Sequence, residues 1–340
     1  MDENTGRELV LTGIGAPEDV LTSRNTRRSH PGRGRVLVRV EATGVSFAEV
    51  QMLSGRYPMQ PAFPFVPGYD LVGEVVAVGA GVTSCRPGQR IAAMPRTGAW
   101  SDYAEIAANS AVVVPDGVPA DEAVALITNG VTAWQLLHRS TRVRSGDVVL
   151  VHGAGGGVGA TLLQLCRLAG IRAIGTASGH RHDALRELGA DLVDHRTEDV
   201  ARRVRELAPG GVHAVFDPIG LDSLRRSWEL LAPGGKLVSY GSADTIDETS
   251  ASWRPHLDIA RQLAGWEVRR RLGRTGGRSA SMYYVRPDGR YRADLGGLLR
   301  LLAGGELHPL ISHRIPLSDA AHALDLHRSG KSTGKIVLLP

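Results

Sequence analysis

The stretch Val148-Val149-Leu150-Val151-His152-Gly153-Ala154-Gly155-Gly156-Gly157-Val158-Gly159 has residue types and spacing suited to holding a phosphate. The β-branched run ending at Val151 predicts a buried strand. Glycines end that strand, and Leu162, Leu165, Cys166 and Ala169 then recur at helical spacing. A strand, a glycine turn and a helix in this order form the first turn of a dinucleotide-binding βαβ unit, whose free helix N–H groups can hold a pyrophosphate. The spacing is Ala154-x-Gly156-x-x-Gly159, with Ala in place of the usual first Gly. A glycine loop alone is a common structural turn. Flanked by strand and helix, it makes Gly155, Gly156, Gly157 and Val158 candidate phosphate contacts.

The tip of the next strand selects between dinucleotides. An NAD site carries an acid there, about 20 residues beyond the first glycine, to bond the ribose hydroxyls. This chain reads Gly175-Thr176-Ala177-Ser178-Gly179-His180-Arg181-His182-Asp183, with Thr176 and Ser178 where an acid would stand. Ser178 can donate to a phosphate, and Arg181 offers a forked cation for a 2′-phosphate. Asp183 comes later and begins the next helix. NADPH is therefore the expected cofactor, against the plainer reading that Arg181 and His182 are merely solvated.

The composition sets outer bounds. Its 340 residues, 42% hydrophobic and 22% charged, suit a globular chain of about two domains. No apolar run approaches the ~18 residues of a membrane span, and the polar, acidic start is unlike a secretory signal. Cys85 and Cys166 are the only cysteines, too few for a four-cysteine zinc site or a disulfide framework. Together these lead us to expect a cytoplasmic protein. The charge of +5 is nearly all arginine, since Lys236, Lys331 and Lys335 are the only lysines. The densest basic run, Arg269-Arg270-Arg271 with Arg274 and Arg278, lacks a nucleic-acid recognition motif and reads as a solvated loop.

The elements that must position these residues follow from periodicity. Residues 36–42 and 70–79 alternate as strands, with a short amphipathic segment at 46–55 and a proline-rich loop from Tyr57 to Pro67. From Ala120 helices appear, over 120–126 and 133–139, separated by 128–132. Strands at 148–151, 173–177, 191–194, 212–217 and 236–241 then alternate with helices at 182–188, 198–207 and 221–231. Alternation of this kind implies a parallel sheet covered on both faces. The segment from Thr245 to Arg290 is polar and arginine-rich, without a clear pattern. A helix over 294–302, another over 318–327 with Ser318 as N-cap, and a strand at 335–339 close the chain.

Several motifs in register then carry a resemblance. They are Gly44-Val45-Ser46-Phe47-Ala48-Glu49, Gly55-Arg56-Tyr57-Pro58, Pro67-Gly68-Tyr69-Asp70 and Gly73-Glu74-Val75-Val76-Ala77-Val78-Gly79, followed by Thr132-Ala133-Trp134-Gln135, the glycine stretch, Ala232-Pro233-Gly234-Gly235-Lys236 and Thr333-Gly334-Lys335. In order over nearly the whole chain, they resemble the medium-chain dehydrogenase/reductase superfamily, in its zinc-independent quinone-oxidoreductase branch. The resemblance implies an α/β fold: a GroES-like β-rich domain over 1–122, to which 262–340 return, with an inserted doubly wound Rossmann domain over 123–261. It implies hydride transfer from a nicotinamide cofactor to a quinone or an α,β-unsaturated carbonyl, in a cleft between the domains. It also implies a homodimer paired through the sheet edge around Lys236 to Gly241.

The resemblance also assigns site residues. Zinc-dependent members carry Cys-His where Ser46-Phe47 stands and His-Glu where Tyr69-Asp70 stands; Ser, Phe and Tyr are poor zinc ligands, so no metal is expected. Substrate must then be polarised by hydrogen bonds. Ser46 replaces a family Asn, Gln51 replaces a Tyr, and Tyr57 and Glu49 are further candidates to line the cleft. Among cofactor contacts the resemblance implies Thr132, Ile219, Tyr240, Gly241, Ser242 and Lys335, with His195 at the position of a Tyr that stacks near the adenine. No His or Lys is marked as a proton donor, so water is the expected source. Two alternatives stand beside this reading: a tailoring enoyl reductase in a biosynthetic pathway, and a nucleotide-binding protein with little turnover.

Overall fold

Valines at alternate positions build the first unit. In the strand Arg35–Val45, Val36, Val38 and Val40 face inward and join Leu71, Val75, Ile91 and Ala93 in one core. The structure is a computed structural model describing residues 5–57, 59–243 and 254–340. It divides into two compact units, residues 1–131 with 286–340, and residues 132–285.

The first unit begins with the hairpin β1 (Thr5–Leu11) and β2 (Leu21–Arg27), joined through the short helix α1 (Pro17–Val20). Its main sheet contains β3 (Arg35–Val45), β4 (Leu71–Val78), β5 (Arg90–Ala93), β6 (Tyr103–Ala107), β7 (Val112–Val113), β14 (Ile311–Pro316) and β15 (Lys335–Leu339). The order is β14-β15-β3-β4-β5-β7, with β6 also on β3. The last strand pairs antiparallel with β3, Ile336 opposite Val45, so both chain ends build this sheet. Helices α2 (Phe47–Leu53), α3 (Ala120–Ala125), α10 (Gly289–Ala303) and α11 (Ala320–Arg328) belong to the same unit.

The second unit is a six-stranded parallel sheet in the order β10-β9-β8-β11-β12-β13. Its strands are β8 (Val148–Val151), β9 (Arg172–Ala177), β10 (Asp191–Asp194), β11 (Val212–Asp217), β12 (Leu231–Ser239) and β13 (Ser279–Met282). Helices α4 (Val131–His138), α5 (Gly157–Leu168), α6 (His182–Arg186), α7 (Val200–Leu207), α8 (Leu221–Trp228) and α9 (Arg254–Arg271) complete it. Leu150, Ile174, Val215 and Leu237, from four adjacent strands, share a core with Leu224, Trp228, Ile259 and Trp266. This is the doubly wound architecture expected from the alternating pattern.

Several expectations are corrected. The part of 245–290 within the described residues is no polar loop. It holds α9, β13 and the start of α10, while residues 244–253 lie outside the described set. Trp266 of α9 stacks on Trp228 of α8 at 4.4 Å between ring centroids, fixing that helix to the sheet core. Such a stack adds roughly 0.5–1.5 kcal/mol beyond the area it buries. Arg269 to Arg271 therefore end a helix instead of lying in a loop. The two compact units divide at 131 and 285, with α9 and the added strand β13 both in the second. The strand around Lys236 is no edge either: β12 bonds β11 on one side and β13 on the other. The helix expected to run to 231 stops at Trp228, and Leu231 opens β12. The segment 128–132 does not break its two helices, because a π-turn over Leu126–Gly130 joins α3 to α4. Ser318 is not an N-cap; it lies in a 3-10 turn, and Asp319 precedes α11 without a side-chain cap.

Candidate functional site

In the second unit, the glycine turn joins β8 to α5 at the C-terminal ends of the parallel strands. Gly153 takes φ +64°, a left-handed conformation that suits glycine, and its carbonyl accepts the Gly156 N–H at 3.0 Å. Ala154 N–H donates to the Thr176 carbonyl at 2.9 Å, tying the turn to β9. A Cβ on Gly159 would stand 2.4 Å from the Gly153 oxygen and 2.6 Å from Ala154 Cα, so only glycine lets helix and turn approach this closely. Gly156 is the extended N-cap of α5, and Gly157 and Val158 form its first turn with no acidic side chain there. The N–H groups of Gly157 and Val158, in the first helical turn, have no intrahelical partner and point to where an anion can sit.

Beneath the turn lies a buried polar chain. His152 Nδ1 is 3.0 Å from Thr176 Oγ1, and its Nε2 is 3.0 Å from Ser227 Oγ. The Asp217 carboxylate accepts from Ser223 (2.7 Å), Ser227 (3.1 Å) and the Ile219 N–H (2.8 Å). Ser227 has one proton, and it goes to Asp217. His152 must therefore donate from Nε2 and accept at Nδ1 from Thr176. Burial, opposed by Asp217, holds His152 below its usual range, which agrees with a neutral ring. The chain joins residues at the C-terminal ends of β8, β9 and β11, the strands that carry the turn.

At the tips of β9 and β10 the charge is positive. Arg181 lies against Gly155, where a Cβ would stand 2.5 Å from its Cδ. Burial and then the charge of Arg196 hold Arg181 below its usual range. His195 is lowered by desolvation and by Arg196 and Arg181, against the pull of Asp194. The Asp194 carboxylate accepts the Arg196 backbone N–H at 2.9 Å. Ser178 is buried beside this cluster in sequence, and His182 turns back onto the Ala177 carbonyl at 3.1 Å.

In the first unit, the site residues surround two carboxyls. Ser46 precedes α2, and both its N–H (2.9 Å) and its hydroxyl donate to Glu49 Oε2. The Tyr69 N–H donates to Glu49 Oε1 at 2.8 Å. Glu49 is 2% exposed, and burial, with the Asp70 charge, raises its pKa to about 7 against the Ser46 bonds and Lys335. Tyr57 and Tyr69 hydroxyls meet at 2.9 Å. Asp70 accepts from Gly44 N–H (3.0 Å), Thr128 hydroxyl (2.7 Å) and Lys335 ammonium (3.0 Å). Trp100 Nε1 donates to the Gly44 carbonyl at 3.2 Å.

The chain matches a family described as alcohol dehydrogenase GroES-like domain over residues 32–116 and one described as zinc-binding dehydrogenase over 188–338. It is 33% identical to a quinone oxidoreductase of Pseudomonas aeruginosa over 338 residues, covering 98% of this chain and 99% of the relative. This chain belongs to the quinone-oxidoreductase-like branch of the medium-chain dehydrogenase/reductase superfamily. It is also 32% identical to the human synaptic vesicle membrane protein VAT-1 homolog, over 98% of this chain and 86% of that protein. The crystal structure of Escherichia coli quinone oxidoreductase complexed with NADPH superposes with a TM-score of 0.85 at 26% identity, covering 98% of this chain and all of that one.

The zinc of one family description does not fit the donors here. The side chains of Ser46 and Tyr69, where the resemblance would place metal ligands, are hydroxyls, poor zinc donors, and are engaged by Glu49 and Tyr57. Among the described residues, no group of three His, Cys, Asp or Glu side chains is arranged to hold a metal. Among these residues, too, no helix is long and apolar enough to cross a membrane.

The expected residues fall into separate sets. Gly155 to Val158, Ser178, Arg181 and His195 surround the turn and the β9–β10 tips, and Ile219 meets Asp217. Thr176 contributes its backbone carbonyl to the turn, while its hydroxyl goes inward to His152. Tyr240 donates its N–H to the Asp217 carbonyl at 3.0 Å, and a Cβ on Gly241 would stand 2.7 Å from the Pro218 carbonyl oxygen. Burial, then the Asp217 charge, raises the Tyr240 phenol pKa, so it stays protonated. Ser242 and Thr132 are buried. Ser46 and Tyr57 lie in the first unit's hydroxyl and carboxyl cluster, while Gln51 is half-buried on α2. Lys335 is buried on Asp70. Periodicity did not reveal His152, Ser223, Ser227 and Asp217, which come from three separate elements.

Proposed function

We propose that this chain is a zinc-independent, NADPH-dependent oxidoreductase that transfers hydride to a quinone or an α,β-unsaturated carbonyl. The observation that carries the cofactor choice is the cluster of Arg181, Arg196 and His195 at the β9–β10 tips, with Ser178 where an NAD site would place an acid. Burial and then the nearby charge of Arg196 hold the Arg181 guanidinium below its usual range, and a bound dianion such as a 2′-phosphate would relieve that strain. Gly155 to Val158 would hold the pyrophosphate at the α5 N-terminus, and the His152–Asp217 chain would hold the turn in place. Thr132, Ile219, Tyr240, Gly241, Ser242 and Lys335 are the further cofactor contacts of this reading. The similarity to an Escherichia coli quinone oxidoreductase whose structure is complexed with NADPH supports it.

Bound NADPH supplies the hydride. The Ser46–Glu49 pair holds a proton near neutral pH and can supply it after the hydride moves, a role sequence reasoning left to water. Gln51 and Tyr57 orient the substrate through hydrogen bonds. β13, one of the two edge strands of the six-stranded sheet among the described residues, is the surface for a homodimer; Met282 at its end is 53% exposed. The test is NADPH oxidation with a panel of quinones and enones. Turnover with either class supports the reading. Turnover confined to long acyl enoyl substrates would favour the tailoring enoyl reductase, and tight NADPH binding with no turnover would favour a nucleotide-binding role. A Ser46→Ala variant with full turnover would remove that hydroxyl from the mechanism.

A further inference from the structure

The parallel sheet has a second end. Opposite the glycine turn, where the chain enters β8 and β11, a cavity of about 810 Å³ opens. Arg139, Arg142 and Arg144, on the segment leading into β8, line it, together with Lys236 of β12 and Arg270 of α9. Two carboxylates share the wall, and both are engaged. Glu267 binds Arg270 and Arg271 at 2.7 and 2.9 Å, which pulls its pKa down to about 2. Asp147 accepts the Arg144 backbone N–H at 2.9 Å and faces His213 at 3.6 Å. Among the described residues, no carboxylate pairs with the side chains of Arg142, Arg144 or Lys236. Burial, then the like charge of Arg142, holds the Lys236 ammonium below its usual range. Gly234, Gly235 and Gly277 give part of the wall a bare backbone.

We propose that this cavity is a second anion site, separate from the glycine turn, for a small organic phosphate carrying at least two negative charges. Arg142, Arg144 and Lys236, crowded in this concavity without a carboxylate partner among the described residues, would be stabilised by a dianion, and arginine forks match phosphate oxygens. The volume exceeds what one inorganic phosphate needs and lies within the range of roughly 300–1,000 Å³ usual for small-molecule pockets.

The test is calorimetric titration of the full chain with ADP in saturating NADPH, with sodium sulfate as a second probe. The expected result is saturable ADP binding that weakens about tenfold in Arg142→Ala and again in Lys236→Ala, is kept in Arg142→Lys, and is much tighter than sulfate binding. The same titration without NADPH separates the sites: ADP at the glycine turn would be insensitive to both alanine variants. No saturable binding, equal weak binding of sulfate and ADP, or binding unchanged in both variants would overturn the proposal. Arg142 is exposed, so its variants should keep the wild-type melting temperature and serve as the folded controls.

Discussion

Replacing Glu49 with Gln should change how stability depends on pH in a way that no surface mutation would. Glu49 lies buried against Ser46 and Tyr69, and its pKa rises from an ordinary 4.5 to about 7. Between those values the folded chain binds a proton that the unfolded chain has released. Unfolding free energy therefore falls as pH rises through that window, by about 1.4 kcal/mol per pH unit, or about 3 kcal/mol in all. His152 and His327 act with the opposite sign. Burial lowers both, His327 to about 4, so stability is lost as pH falls below the ordinary histidine value. A raw stability curve mixes these contributions; the difference between wild type and Glu49→Gln isolates the carboxyl. Urea unfolding at pH values from about 5 to about 8 should show the variant gaining on wild type by about 2–3 kcal/mol across the range. A difference that stays flat would refute the claim that Glu49 holds a proton near neutrality, and with it the Ser46–Glu49 proton source.

Two further perturbations address the turn. His152→Ala leaves the Ser227 and Thr176 hydroxyls without their ring partner and should cost about 2–4 kcal/mol by chemical denaturation. His152→Gln, which keeps a donor and an acceptor, should recover part of that loss. Gly159→Ala places a methyl 2.4 Å from the Gly153 oxygen, so the turn must shift; NADPH affinity by fluorescence titration should fall by at least about tenfold.

Local pattern was enough to read the parallel sheet and the phosphate turn. Val148 to Val151 and the helix from Gly157 differ in period, and the glycines separate them. Ser178 and Arg181 follow directly on the β9 strand, so their place at its tip is legible in the same local pattern. The helix α9 was hidden by its composition. Ile259, Leu263 and Trp266 do fall on one helical face, but arginines and polar residues crowd the intervals. Polar, arginine-rich composition also hides β13, and the resemblance places the sheet edge at β12, which β13 in fact covers. The polar networks were harder still. Lys335 meets Asp70 across 265 residues, and His152 meets Ser227 across 75, so no local spacing marks either contact. Glu49 was visible as an acid near Ser46. Its perturbed proton comes from burial that only the packed sheet and Tyr69 create.

The account rests most on NADPH as the ligand of the turn and of Arg181. The decisive measurement compares kcat/KM for NADPH and NADH with one quinone acceptor, in wild type and in Arg181→Ala. The account predicts a preference for NADPH of at least about tenfold in wild type, collapsing toward parity in the variant through loss of NADPH efficiency alone. Equal efficiencies in wild type, or a preference that survives the loss of Arg181, would contradict it.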